Sequence, residues 1–399
     1  MTSTKNRRTN PMKVTRHLIL LIVLVMTSIA ISAQSVETVR IGVLLPDANL
    51  NADRATAIRQ SVDLAIEDIN DAGGIEATGN DLYRLQVSYK AVGNQEDVTQ
   101  AIAELRAEGA VAILGPDSNA LLPALADLDT PLLLTSSGID GRYADASSYL
   151  FQLRANDATL AKIATAFAIE ELEATDFAIV SADADYANTA VEAMLEDLSD
   201  TDDVNVVLNR SHDVVELDTL EIAADIEAEE PDVVIVADRF DVLQSLLDDL
   251  SATEWSGNVI YLYGDSSANT ILSLSTQSDI DLYELNLWSD LMDDTASESF
   301  KDLYEETYDG LPTQVQALYF DGLNLIAEGL ASAGNGADDL QRWFDTGTVD
   351  YAGVQGDYNN SNASGELIQV AMVVQLEDGD LTHEQRYLLG PNGIVRDDS

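Results

Sequence analysis

Val39-Arg-Ile-Gly-Val-Leu-Leu45 reads as a strand, and Ile58, Val62, Ala65, Ile66 and Ile69 follow it at helical spacing, with Asp63, Glu67, Asp68 and Asp71 mostly on the opposite side. Gly73-Gly74 ends that helix. The rhythm then repeats. Leu85 to Tyr89 is the next strand, a helix runs through Val98, Ala101, Ile102 and Leu105, and Val111-Ala-Ile-Leu114 is a buried strand closed by Gly115-Pro116. Pro131 to Leu134 is another strand. From Ala161 the pattern restarts with a helix through Ile163 and Phe167, a strand at Phe177 to Val180, a helix at Val191, Met194, Leu195 and Leu198, and a strand at Val204 to Leu208. Pro231 precedes the strand Val233 to Ala237, and a helix through Leu243, Leu246, Leu247 and Leu250 leads to the strand Val259 to Tyr263. Strands alternating with helices mean βαβ units and parallel sheets. Two such blocks in succession predict an α/β chain of two doubly wound lobes rather than one long sheet. No Gly/Ser-rich or Pro-rich linker separates them, so the expected joints are short strand-like crossings and not a floppy tether.

The 399 residues, 46% of them hydrophobic, are enough for two ordinary domains and a tail. The first sixteen carry Lys5, Arg7, Arg8, Lys13 and Arg16 and no acid; Leu18 to Met26 is wholly apolar, and Ser28, Ala30, Ser32 and Ala33 follow. This is the order of a secretory signal peptide, residues 1–33, with cleavage expected after Ala33 or Ala30. The alternative is an uncleaved anchor, but the apolar core is short of the ~20 residues that a spanning helix needs. There is no cysteine, which excludes disulfides, zinc–thiolate sites, a cysteine nucleophile and a lipid-modified cysteine after the leader. The expectation is an exported protein, free in a periplasm or outside the cell.

The formal net charge is −51, and after the leader only Lys90, Lys162 and Lys301 represent lysine. A surface this acidic repels nucleic acid and anionic lipid. It also suits a salty habitat, where counter-ions screen the self-repulsion.

Parallel sheets place ligands at the carboxyl ends of their strands. The loops there are small and polar: Pro46-Asp-Ala-Asn49, Gly115-Pro-Asp-Ser-Asn119, Thr135-Ser-Ser-Gly138, Ser181-Ala-Asp-Ala-Asp-Tyr186, Asp238-Arg239 and Gly264-Asp-Ser-Ser267. Hydroxyls, amides and carboxylates converging from these strand ends suit a polar ligand held by hydrogen bonds.

Taken in order, several stretches carry a family resemblance. They are Val39-Arg-Ile-Gly-Val43, Ala65-Ile-Glu-Asp-Ile-Asn-Asp-Ala-Gly-Gly74, Ala112-Ile-Leu-Gly-Pro-Asp-Ser118 and Pro131-Leu-Leu-Leu-Thr-Ser-Ser137. Tyr149-Leu-Phe-Gln-Leu-Arg-Ala-Asn-Asp157, Asp183-Ala-Asp-Tyr186, Pro231-Asp-Val-Val234, Tyr319-Phe-Asp-Gly-Leu-Asn-Leu-Ile326 and Tyr351-Ala-Gly-Val-Gln-Gly356 continue it. Together they resemble the type I periplasmic binding proteins, in particular the Leu/Ile/Val-binding receptors of ABC transporters, over nearly all of residues 38–390. The resemblance implies two α/β lobes joined by a three-crossing hinge, 38–157 with 284–364 and 158–283 with 365–392, which close on a ligand by hinge motion. It implies delivery of a small molecule, most simply a branched-chain amino acid, to a membrane permease. It implies no chemical change in that molecule, and neither a cofactor nor a metal.

Carried over residue by residue, Ser118 and Asn119 would hold the ligand's carboxylate, an amide standing where the family has a second serine. Thr135, Ser136, Ser137 and Gly138 form the next contact loop. The family's threonine is missing in that register, where this chain reads Gly138-Ile139, and Ser137 is its candidate substitute. Tyr186 matches the tyrosine that closes from the second lobe, although Ala187 replaces the glycine after it. Asp265 matches the acidic position that pairs an ammonium, and Arg239 falls where many members have a tyrosine. Arg239 could pair Asp265 or Asp238, or contact an acidic ligand.

Other classes lack their equipment in the sequence. His17 lies in the leader, and His212 and His383 have no serine-nucleophile motif beside them. There is no Gly-x-Gly-x-x-Gly after the first strand and no phosphate-loop lysine. Asp183 and Asp185 lack the rest of a calcium loop. A sensory receptor for a membrane signalling partner, or a receptor for small amides or urea-like solutes, fits the same residues. A repressor on this fold would need a helix-turn-helix and a basic face at the N-terminus. The receptor is expected to be a monomer that binds no nucleic acid.

Overall fold

Strand β1 (Val36–Pro46) is followed by helix α1 (Ala48–Asp71), the short β2 (Ile75–Glu76), β3 (Leu82–Val92), α2 (Gln95–Ala107), β4 (Ala110–Leu114), β5 (Leu132–Leu134) and β6 (Leu150–Gln152). These strands form a six-stranded sheet in the order β2-β3-β1-β4-β5-β6, parallel except for β2, which runs against β3. The computed structural model describes residues 36–78, 81–116, 128–135, 147–213, 218–264, 280–359, 365–368, 370–377, 380–390 and 393–397. Residues 1–33, the stretch expected to be a signal peptide, lie outside them.

The chain then builds a second sheet. Helix α3 (Asp157–Glu170) leads into β7 (Asp176–Ala182), α4 (Asp185–Ser199), β8 (Asn205–His212), α5 (Thr219–Glu229), β9 (Val233–Ala237), α6 (Phe240–Leu250), β10 (Gly257–Tyr261) and β11 (Ile280–Asn286). It next returns to the first lobe through α7 (Thr295–Tyr308), α8 (Gln314–Ala333), α9 (Ala337–Thr346) and the hairpin of β12 (Asp350–Ala352) and β13 (Asp357–Asn359). Finally β14 (Val370–Glu377), β15 (Asp380–Gly390) and β16 (Gly393–Asp397) complete the eight-stranded order β16-β15-β14-β11-β10-β9-β7-β8. Strands β7 to β11 are parallel, and β14 to β16 add antiparallel to the free edge of β11.

Both sheets are covered on two faces, which is why their central strands are apolar on successive residues rather than on alternate ones. In β1, Ile41 and Val43 pack with Ile58 and Val62 of α1 and with Leu323 and Leu330 of α8, while Leu44 faces Val98, Ile102 and Leu105 of α2. In the second sheet Ile179 and Ile235 pack with Ile163 and Phe167 of α3, while Val180 and Val236 face Leu243, Leu246 and Leu250 of α6. Helix α1 starts on Asp47, whose side chain accepts the Asn49 amide at 2.8 Å. It ends at Gly73 and Gly74, with φ of +115° and +95°. A side chain on Gly74 would also place its Cβ 2.4 Å from Tyr83 O, so glycine is required there.

The crossings between the sheets are short and hydrogen-bonded to one another. Gln152, the last residue of β6, donates from its amide to Gly365 O at 2.8 Å and accepts at its carbonyl from Leu367 N at 2.9 Å. Asn156 Nδ2 also donates to Glu366 Oε1. The crossing after β11 is tied to α8, where Leu287 N donates to Gln314 Oε1 at 2.6 Å. No helix among the described residues is long and apolar enough to cross a membrane.

Candidate functional site

Each sheet reverses its winding once among the parallel strands, between β1 and β4 in the first and between β7 and β9 in the second. At such a point neighbouring connections leave to opposite faces, and a crevice opens at the carboxyl ends of the strands. In the first sheet the crevice lies beside Gly115-Pro116, a cis peptide. Gly115 has φ of +96°, and a Cβ there would lie 2.9 Å from Leu44 O and 3.4 Å from the Tyr319 hydroxyl. Only glycine lets β4 turn so close to β1.

Of the residues anticipated from the sequence, Ser118, Asn119, Ser136, Ser137, Gly138 and Asp265 lie outside the described residues. Thr135 follows β5 directly and is fully buried. Its Oγ1 has no hydrogen-bond partner among the described residues. Its methyl faces Gly322 of α8, where a Cβ would come within 3.7 Å.

In the second sheet Asp238, at the end of β9, gathers the polar groups of the crevice. Its Oδ1 accepts the Arg239 amide at 2.7 Å and the Tyr186 hydroxyl at 3.4 Å. Its Oδ2 lies 2.5 Å from Nε2 of His212, the last residue of β8. Tyr186, in the first turn of α4, sits edge-on to Tyr263, ring centres 5.7 Å apart, and its carbonyl accepts the Tyr263 hydroxyl at 3.0 Å. Burial and the neighbouring Asp238 carboxylate push the Tyr186 phenol up to about 12, so it stays a hydrogen-bond donor at neutral pH. Burial raises the Tyr263 phenol well above its ordinary value too.

The Arg239 guanidinium forks onto Asp241 at 3.0 and 3.1 Å, with both side chains largely exposed, while Asp265, one of its anticipated partners, lies outside the described residues. The cause is local: Arg239 precedes α6, and Asp241 sits in the first turn of that helix, within reach of the same stem.

A cavity of about 200 Å³ lies where the two lobes meet. Arg54 of α1 and Gln314 and Leu318 of α8 line it on one side, Arg154 lies at the first crossing, and Leu160 of α3, Leu262, Tyr263 and Gly264 after β10, and Leu285 and Leu287 in and after β11 complete the wall. Arg154 is buried; its Nη2 donates to Asp157 Oδ1 and its Nε to Ala155 O, each at 2.8 Å. The Gln314 amide is used at both ends, by Leu287 N and by Gly264 O at 3.3 Å. A larger cavity of about 660 Å³ opens between α7, the β12–β13 hairpin and β15.

Sequence reasoning missed Arg54, Arg154, Tyr263 and His212 as residues of this region. Arginine's scarcity was a usable signal: Arg154 lies inside the Tyr149–Asp157 stretch already singled out.

The comparisons with known proteins agree with this architecture. A family model described as periplasmic binding protein matches residues 38–380. No curated protein matches the sequence. Among solved structures, the branched-chain amino acid transporter substrate-binding protein LivJ of Streptococcus pneumoniae, in complex with isoleucine, has a TM-score of 0.72 at 18% identity, covering 90% of this chain and 100% of that one. The leucine-binding protein LivK of Thermotoga maritima has a TM-score of 0.71 at 15% identity, covering 89% and 99%. A solute-binding protein of an ABC transporter from R. palustris, in complex with benzoate, has a TM-score of 0.69 at 15% identity, covering 90% and 98%. With two doubly wound parallel-sheet lobes and a family match that spans both, the chain belongs to the periplasmic binding protein family.

Proposed function

We propose that this protein is the exported receptor of an ABC transporter, and that it closes its two lobes on a small molecule carrying a carboxylate. The observation that carries the proposal is the cavity of about 200 Å³ between the lobes, polar at Arg54 and Arg154 and otherwise walled mainly by leucines. Its size and walls suit a head group with a short apolar body. A branched-chain amino acid is the first candidate, in keeping with the isoleucine and leucine receptors of the same fold. An aromatic or aliphatic acid is the second, favoured by the guanidiniums in the lining and by the relative that binds benzoate.

In this reading residues 38–157 with 284–364 make one lobe and 158–283 with 365–392 the other. Ser118, Asn119 and the Thr135–Gly138 loop hold the ligand from the first lobe, while Tyr186 and Asp265 come from the second and arrive on closure. The mature protein starts near Gln34, works as a monomer, and hands its ligand to a membrane permease without transforming it.

A thermal-shift screen of the exported protein against amino acids, amides and small acids tests the proposal. A ligand at about 100 times its dissociation constant adds about 2.7 kcal/mol of stability. The hit should also lower the radius of gyration in solution scattering. No stabilising solute in the screen, or a saturating ligand that leaves an open form unchanged, would refute it.

A further inference from the structure

Strands β10, β9, β7 and β8 are neighbours in the second sheet, and their parallel carboxyl ends bring four side chains to one crevice. His212 is the last residue of β8, Asp238 follows β9, Tyr186 lies in the first turn of α4 after β7, and Tyr263 follows β10. Tyr263 also forms part of the wall of the cavity of about 200 Å³. We infer that Asp238 and His212 are positioning residues of the ligand site: together they hold the Tyr186 hydroxyl, and with it the Tyr186–Tyr263 aromatic corner beside that cavity. This rests on the receptor reading above and adds two residues to its site.

The hydrogen bonds give each group its direction. A backbone carbonyl and a carboxylate only accept. His212 stands between two of them, with Nδ1 3.0 Å from Asp213 O and Nε2 2.5 Å from Asp238 Oδ2. The bridge therefore holds one proton on Nδ1 and another between Nε2 and Oδ2, and the His212–Asp238 pair is neutral as a unit. Its side chains are 9% and 0% exposed, so neither is free to swing into solvent. The His212 backbone is tied as well, its carbonyl accepting Asp183 N at 2.7 Å. With Oδ2 engaged, Oδ1 accepts the Arg239 amide at 2.7 Å and the Tyr186 hydroxyl at 3.4 Å. The second of these is long, as contacts in an empty site are before a ligand tightens them. Tyr186 is gripped from its other end by Tyr263, whose hydroxyl donates to the Tyr186 carbonyl at 3.0 Å. A buried network that fixes a side chain before the ligand arrives lowers the ordering cost of binding. Elsewhere in the fold such a pair would serve stability alone. Here it stands at the winding reversal between β7 and β9, where a ligand crevice opens.

Calorimetric titration of the exported protein with isoleucine, leucine and benzoate, and with any hit of the wider screen, tests this through a double-mutant cycle. Asp238→Ala should weaken the tightest of these solutes about 10-fold, and His212→Ala should reproduce part of that loss. Asp238→Asn should recover most of it, because Oδ1 still accepts the phenol and the new amide can donate to His212 Nε2. In a Tyr186→Phe background, Asp238→Ala should add less than about 2-fold, since no hydroxyl is left to hold. Melting of the empty variants checks that they are folded. Fluorine NMR of protein labelled with meta-fluorotyrosine reads the same link without a solute. The Tyr186 signal, identified by its loss in Tyr186→Phe, should shift in Asp238→Ala. A Tyr186 signal that ignores Asp238→Ala, an unchanged affinity in Asp238→Ala or His212→Ala, or an equal loss with and without the Tyr186 hydroxyl would overturn the inference while the receptor reading stands. So would an Asp238→Asn variant as weak as Asp238→Ala, which would make the charge and not the grip the active property. If neither these solutes nor the wider screen yields a ligand, the receptor reading itself fails, and the inference with it.

Discussion

Arg154 Nη2 donates to Asp157 Oδ1 at 2.8 Å, with the two side chains only 10% and 4% exposed, at the point where the chain leaves the first sheet for the second. The crossing is thus pinned by a buried charge pair, next to the Gln152–Glu366 bridge that ties it to another crossing. Attraction within such a pair roughly balances the cost of taking both charges out of water, so losing one partner is worse than losing both.

Arg154→Leu alone should therefore destabilise the protein by about 3–5 kcal/mol, because it strands the Asp157 carboxylate. Adding Asp157→Asn should recover a large part of that loss. Urea unfolding of the single and double variants measures it. Two single losses that simply add would show that the residues do not act as a pair.

Asp321, on α8, is fully buried and holds the hairpin between β12 and β13. Its Oδ1 accepts Val354 N at 2.8 Å, and its Oδ2 accepts Gln355 N at 2.9 Å and the Tyr358 hydroxyl at 3.0 Å. Burial pushes its acid up to about 7, although these three donors pull the other way. The folded value lies above the unfolded one of ~3.9, so the folded state binds the proton more tightly. The stability this group contributes is complete below the unfolded value and is lost as pH rises through about 7. Melting temperature should fall between about pH 5 and pH 8, and Asp321→Asn, which cannot titrate there, should flatten that slope. An unchanged slope in the variant would remove Asp321 as its source.

The net charge of −51 leads to a third expectation. Acids outnumber bases 71 to 20, and the described surface pairs, such as Lys90 with Glu104 and Glu108, are few against that total. Salt at 1 M shortens the range of repulsion to about 3 Å, from about 8 Å at physiological strength. Melting temperature should rise from low salt to molar KCl with or without ligand. A flat or falling curve would show that self-repulsion does not limit stability.

The fold was legible because parallel strands covered on both faces leave continuous apolar runs. Ile41–Leu45, Val111–Leu114 and Val233–Ala237 are such runs, and each lies within or coincides with an observed strand. Helix α5 escaped notice because Ile222, Ala223 and Ile226 are its only buried residues, set among acids in a short segment. Strands β14 to β16 break the βαβ rhythm by running antiparallel, so the alternation that revealed the rest could not reveal them. The site was less legible because it is assembled across the lobes. Arg54 and Arg154 are a hundred positions apart, and only the folded chain brings them to one cavity. Arg239 shows the opposite limit: it pairs with Asp241 two residues on, a local contact that its strand-end position did not announce.

Thr135 offers the sharpest test of the first-lobe contacts. A hydroxyl that is fully buried without a partner among the described residues costs free energy in the empty protein, about 1–3 kcal/mol. Such a group persists where something else repays it, and at the carboxyl end of β5 a ligand is the natural candidate. Valine has nearly the same shape and no hydroxyl. Thr135→Val should leave the empty protein as stable as before, or more stable by up to about 1 kcal/mol. The same variant should bind the ligand found in the screen about 10-fold more weakly, the 1.4 kcal/mol of one hydrogen bond. Thermal melting and calorimetric titration of the one variant read the two effects separately. Loss of 2 kcal/mol or more in the empty protein would mean that Oγ1 is satisfied within the fold. Unchanged affinity together with unchanged stability would place the ligand elsewhere in the cleft.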